Sequence, residues 1–300
     1  MALAACTPTG GSGGAAAGAA TSTATPSPTS TGGSSASGTA TGLPAGEIPD
    51  ETAGPYPGDG SNGADVLAES GVVRSDIRSS IGGGTTAAGV PMVLSLTILD
   101  TANGDVPFAN AAVYVWHCDA AGGYSMYSSG IENETYLRGV QVADASGVVS
   151  YTSIVPACYT GRWPHIHFEV YRSVDDIGDS ANAIATSQVA LPQDAAETVY
   201  ARSEYAGSSQ NLAQVSLESD NVFGDDGGAL QLATVSGDAA AGYRVSLTAR
   251  VDTGTTPTAG SAPSGGSGPG GAGGPGGAGG AGGAGGTPPS GSGAGGMSNS

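Results

Sequence analysis

Two of the chain's three histidines stand two residues apart, at His165 and His167, with Arg162 three residues before the first and Tyr159 six residues before it. Neutral imidazole is the commonest protein metal ligand, so an H-x-H pair can offer two nitrogens to one ion if both rings face the same space. The element that must position them is local. The run His165-Ile166-His167-Phe168-Glu169-Val170-Tyr171 is rich in β-branched and aromatic residues and predicts a strand, whose period of two puts both histidines on one face. By itself the pair leaves open whether the two rings hold a metal.

The chain around this stretch is of two kinds. Its 300 residues include 54 glycines and 18 prolines but only 5% aromatics, so a folded domain must be joined to low-complexity segments. Residues 7–46 are almost wholly Gly, Ala, Ser, Thr and Pro, a tether with too little apolar bulk to fold. Residues 254–300 are Gly/Ala/Pro repeats lacking the strict every-third glycine of collagen, so a flexible tail is expected there. Before the tether, Leu3-Ala4-Ala5-Cys6 resembles a lipobox, which makes Cys6 a candidate lipidation site and a lipid anchor the only expected membrane contact. That reading puts the protein outside the cytoplasm, secreted or anchored to the outer face of the membrane. With 26 acidic residues against 8 basic ones the formal charge is −18, which repels a phosphate backbone and excludes nucleic acid as a partner. No apolar run approaches the ~20 residues of a membrane-spanning helix.

Residues 47–253 alternate apolar and polar residues in short runs between Gly, Asp, Asn and Pro, the pattern of an all-β sandwich. Strands are expected over Met92–Leu99, Ala112–Trp116, Leu137–Ala143, Val148–Ile154, His165–Tyr171, Ala229–Val235 and Tyr243–Val251. Asp144-Ala145-Ser146-Gly147 is one of the turn signals between them. A single helix, Gln193–Ala201, is opened by Leu191-Pro192.

Taken together, Tyr159, Gly161-Arg162 and His165-Ile166-His167-Phe168 resemble the second half of the intradiol ring-cleaving dioxygenases. The segment from Val113 through Trp116 and Asp119 to Tyr124 resembles the first half. Glu51-Thr52-Ala53-Gly54-Pro55-Tyr56 and the stretch Leu137-Arg138-Gly139 to Asp144 are further matches, in the family's order, and the nearest variety is a secreted, tethered one. The resemblance implies a β-sandwich holding non-haem Fe(III) on Tyr124, Tyr159, His165 and His167. It implies cleavage of a catechol-type ring with O2 to a cis,cis-muconate-type product. Tyrosinate, a hard anionic oxygen donor, suits ferric iron, whereas zinc more often takes thiolate or carboxylate. The resemblance also implies that Arg162 and Gln188 line the substrate pocket and that Tyr56 stands at its entrance.

Two departures bear on the pocket. Only five residues separate Tyr159 from His165, fewer than in the well-studied catechol and protocatechuate enzymes, and Val189-Ala190-Leu191 follow Gln188 where aromatic residues are expected. Nor has the helical dimerisation segment of the catechol enzymes a counterpart, so oligomeric state stays open. His117, beside Trp116, is expected to be a hydrogen-bonded structural histidine. If Tyr124 and Tyr159 meet at one iron as the resemblance implies, Cys118 and Cys158 come near one another. A Cys118–Cys158 disulfide is then expected in an exported protein, the alternative being two buried thiols. The rival functions are an inactive β-sandwich binding module and a tethered copper- or zinc-binding protein using His165 and His167.

Overall fold

A computed structural model of the chain describes residues 46–255 and 257. Cys6, the tether up to residue 45 and nearly all of the tail lie outside the described residues. Nine strands and two α-helices carry the architecture: β1 Pro91–Asp100, β2 Val106–Pro107, β3 Ala112–Trp116, β4 Arg138–Val142, β5 Val148–Ile154, β6 His165–Tyr171, β7 Ala185–Ala190, α1 Gln193–Tyr200, α2 Ser208–Leu212, β8 Thr234–Asp238 and β9 Gly242–Val251. They form two sheets, as expected for the sandwich. One runs β2-β1-β9-β8 with β5 also paired to β1, and the other runs β4-β3-β6-β7. Among the described residues no helix is long and apolar enough to cross a membrane.

The two sheets bury their strands differently, and the difference decides where a site can form. Along β1 and β9 every second residue is buried, the signature of a sheet with one face in the core and one towards solvent. In β3 and β6 every residue is buried. Their apolar positions Val113, Val115, Ile166, Phe168 and Val170 belong to the core. Their other face carries Tyr114, Trp116, His165 and His167, and the segment leading into the domain runs over it, with Glu51 N–H donating to Thr186 O and Tyr114 Oη to Pro57 O. That cover buries the polar face that carries the histidines.

Local pattern and observed strand agree wherever the alternation is strong: Ala112–Trp116, Val148–Ile154 and His165–Tyr171 have the expected limits. Elsewhere the two differ: α2 and the two-residue β2 form where no element was expected, and three further strands depart from the reading. The strand expected from Leu137 starts at Arg138, because Leu137 adopts a left-handed backbone, φ 57°. In place of a strand from Ala229, the chain turns at Gly227 and Gly228, both at positive φ, with Asp226 Oδ1 accepting from Gly228 and Ala229 N–H; β8 begins only at Thr234. Strand β7 carries Gln188 but was not expected, since small and polar Ala185-Thr186-Ser187-Gln188 lack a strand's apolar alternation.

The β4–β5 turn is as tight as its residues imply. Gly147 sits at φ 75°, and a Cβ there would lie 2.4 Å from Ile98 O, while Gly147 O accepts from Ile98 N–H. Gly147→Ala should therefore destabilise the domain by roughly 2–4 kcal/mol, combining left-handed strain with a backbone clash. Urea unfolding at neutral pH checks this, and a change below about 0.5 kcal/mol would mean that the hairpin can move away from β1.

Candidate metal centre

Strand alternation delivers what the H-x-H spacing promised: the rings of His165 and His167 lie 4.8 Å apart and nearly perpendicular. Tyr124, in the loop after β3, and Tyr159, in the loop after β5, close on the same space. Tyr159 Oη is 3.1 Å from His165 Nε2, and the two phenol oxygens are 3.4 Å apart. His165 Nδ1 faces the carbonyl of Trp163 at 2.6 Å. A carbonyl only accepts, so Nδ1 carries the proton and the Nε2 lone pair points at Tyr159. The chain of donation follows, from Tyr124 O–H to Tyr159 Oη and from Tyr159 O–H to His165 Nε2.

His167 is held in another way. Its Nδ1 is buried with no hydrogen-bond partner, and its ring stacks on Trp116 at 4.8 Å and 7°, with Tyr114 stacked on the far side of the indole at 4.9 Å. Above it the backbone of Gly54, at φ 72°, comes so close that a Cβ would lie 3.4 Å from His167 Cε1. Burial, aided by the charge of Arg162, keeps both imidazoles neutral, well below their usual pKa. Burial likewise pushes the Tyr159 phenol up to about 12, opposed by Arg162, and also holds Tyr124 well above the usual phenol range.

This donor set fits a hard trivalent metal. Two neutral imidazoles and two phenols that are costly to ionise in a dry space become good ligands once a cation is present to take the phenolate charge. The orphaned buried nitrogen of His167 belongs to a ring with no protein hydrogen bond at that atom. Among the described residues no three His, Cys, Asp or Glu side chains group to hold a metal, so a thiolate- or carboxylate-rich zinc site has no counterpart.

Arg162 lies at the edge of the cluster, buried and clamped. Its Nε donates to Asp220 Oδ2 at 2.9 Å and its Nη2 to Gln188 Oε1 at 2.6 Å. Gln188 pairs with His167 across β6 and β7 and donates to Thr52 O. Tyr56 is half-buried, with its ring 5.0 Å from that of Tyr124. The structure thus brings together Tyr124, Tyr159, His165, His167, Arg162 and Gln188, with Tyr56 against Tyr124. His117 stays outside, donating from Nδ1 to Cys118 O and accepting at Nε2 from the Ser153 hydroxyl, as expected of a structural histidine. Four contributors went unassigned: Gly54, Trp116 and Arg138, although all three lie in segments quoted above, and Asp220, which no local pattern marks.

The disulfide expectation is corrected. Cys118 and Cys158 are buried free thiols. Cys118 Sγ donates to Ala157 O, beside Cys158, so the chain does bring the two residues close, but Cys158 Sγ turns away to Arg162 O. Each sulfur thus donates to a backbone carbonyl rather than bonding to the other, the buried-thiol alternative named above. Burial pushes the Cys158 thiol up to about 12, so it behaves as a small apolar group.

Comparison with known proteins bears on the same residues. Residues 68–167 match the family model described as Dioxygenase, a span that includes both tyrosines, both histidines and Arg162. The fold is similar to that of an intradiol ring-cleavage dioxygenase from Tetranychus urticae, with a TM-score of 0.54 and 20% identity over 72% of this chain and 98% of that one. Weaker similarity, TM-score 0.44 and 21% identity, links 69% of this chain to 99% of the dioxygenase domain of a carbohydrate-binding fusion protein from Streptomyces sp. SirexAA-E. Catechol 1,2-dioxygenase from Pseudomonas arvilla C-1 follows at 0.41 and 22%, over 65% of this chain and 61% of that one. No curated protein matches the chain.

The clamp on Arg162 is testable by itself. Asp220 is 2% exposed and accepts from Arg162 Nε and from the N–H groups of Trp163, Val222 and Phe223. Asp220→Ala should cost about 3–5 kcal/mol, since it strands a buried guanidinium and three amides. Guanidinium chloride unfolding measures it, and a loss under about 1 kcal/mol would mean that this carboxylate is not what holds Arg162.

Proposed function

We propose that this chain, a relative of the intradiol ring-cleaving dioxygenases, opens a catechol-type ring with O2 at ferric iron held by Tyr124, Tyr159, His165 and His167. The observation that carries the reading is the meeting of two phenols and two neutral imidazoles, from four separate positions in the sequence, in one buried space beside a fixed guanidinium. Bound there, Fe(III) would supply the Lewis acidity and the electronic coupling to substrate and O2 that the ring opening needs.

The protein's own tasks follow from the geometry. A catechol must lose both hydroxyl protons to bind as a dianion, and a phenolate oxygen is the base at hand. Of the two, Tyr159 is half-buried whereas Tyr124 is 1% exposed, so Tyr159 Oη is the one we assign to take up a proton. Arg162 Nη2 is fixed on Gln188, which puts a positive charge beside the ring where negative charge grows. The half-buried ring of Tyr56 forms a wall at the mouth and shields the centre from bulk water.

Ferric loading should turn the purified protein burgundy through a tyrosinate-to-iron charge-transfer band, and catechols should then drive oxygen uptake with formation of a muconate chromophore. Tyr159→Phe and His165→Ala should each abolish ring cleavage while the domain stays folded. Arg162→Ala should keep iron and colour while kcat falls by roughly 10²–10³. Iron analysis, the visible spectrum and oxygen consumption on the three variants decide it. Full activity in either ligand variant would overturn the ligand assignment, and a colourless, inactive ferric-loaded protein would overturn the function.

A further inference from the structure

Behind the phenols lies a second guanidinium that none of these steps uses. Arg138 opens β4, is 1% exposed, and engages all five of its N–H donors. Nε donates to Ser125 Oγ (3.0 Å), Nη1 to Pro57 O (2.6 Å) and Tyr114 Oη (3.1 Å), and Nη2 to Tyr56 O (2.9 Å) and Ser125 O (3.0 Å). None of these acceptors is charged. Burying a cation among neutral dipoles gives up the return that a carboxylate would supply, so the gain has to be sought in geometry.

Besides the bond to Tyr114 on β3, four of the five bonds join two segments far apart in sequence. One holds Tyr56 and Pro57, and the other is Ser125, next to Tyr124; the rings of Tyr56 and Tyr124 meet at 5.0 Å, with Tyr127 5.2 Å from Tyr56 on the far side. The backbone around the guanidinium is strained to suit it. Leu137 (φ 57°) and Met126 (φ 70°) are non-glycine residues in the left-handed region, which side chains with a Cβ adopt only at a cost. Gly58, at φ 65°, has no room for a side chain, since a Cβ would lie 2.7 Å from Arg138 Nη1.

We propose that Arg138 is a positioning residue that locks the Tyr56 ring, at the mouth of the substrate space, to the Tyr124 phenol, so that ligand and substrate wall keep one fixed relation. The inference rests on the reading of the cluster as an iron site that accepts a catechol. Lysine in its place keeps the charge but has three donors on one nitrogen and cannot span both segments.

The test is Arg138→Lys in the full chain, before and after ferric loading. Positioning requires that near-UV circular dichroism of the metal-free protein lose part of its tyrosine signal. In the loaded protein iron content should be retained, the charge-transfer band should move, and KM for catechol should rise roughly tenfold or more, out of proportion to the change in kcat. Ser125→Ala, which removes one acceptor and leaves the guanidinium, should shift the same readouts in the same direction by less, and it carries the test should Arg138→Lys fail to fold. A lower melting temperature with unchanged dichroism, band and KM in the folded protein would reduce Arg138 to a stabilising role and overturn the proposal. If the wild-type protein develops no visible band, the iron reading fails, and the dichroism of the metal-free variants still decides whether Arg138 sets the rings.

Discussion

The register between β3, β6 and β7 sets Trp116, His167 and Gln188 side by side across the sheet, and the centre depends on that row. Trp116 supplies the surface on which His167 lies, and Gln188 receives the guanidinium of Arg162. A slip of one residue in β6 would turn His165 and His167 into the core and bring Ile166 and Phe168 out to meet the tyrosines. The apolar partners of β6 resist that slip, because Ile166, Phe168 and Val170 would lose their burial. The same hydrophobic preference that folds the sheet therefore aims the imidazoles.

Around this row, polar groups are satisfied in ways that leave the central atoms available. His165 spends Nδ1 on a backbone carbonyl, which keeps the Nε2 lone pair for the site. His167 spends nothing on a hydrogen bond at Nδ1 and is fixed by stacking, so its orientation comes from Trp116 and Tyr114 together. Two of the chain's few cations are brought near the phenols and satisfied differently: Arg162 is paired with a buried carboxylate, whereas Arg138 keeps its full charge among carbonyl and hydroxyl oxygens. Further along the same face Glu169 is kept protonated near neutrality, its pKa raised to about 8 by burial and by the neighbouring Asp59, while it accepts from Tyr171 Oη.

Much of this was legible in the residues themselves. The strand His165–Tyr171 and the shared face of its histidines follow from side-chain period, a property of adjacent residues that needs no partner. The turn at Asp144–Gly147 follows likewise from the backbone freedom of glycine and the short side chain of aspartate. The pairing of tyrosines with these histidines was available only through resemblance of motif, since Tyr124 and Tyr159 are 35 positions apart and look like ordinary loop aromatics.

What the amino-acid order could not reveal is whatever depends on where two distant side chains point. Cys118 and Cys158 arrive near one another, yet remain thiols because Cys158 is turned towards Arg162 O, a direction set by the packing of the loop after β5. Asp220 meets Arg162 across 58 positions and Arg138 meets Pro57 across 81. Strand β7 forms from small polar residues because β6 offers it a ladder edge and Glu51 N–H meets its Thr186 carbonyl, not because its own composition favours extension. Period and turn chemistry act between neighbours in the chain, so the sequence alone determined the strongly alternating strands β3, β5 and β6 and the shared face of the histidines; hydrogen bonds and packing act between neighbours in space, so only the folded chain decided β7 and which groups complete the site.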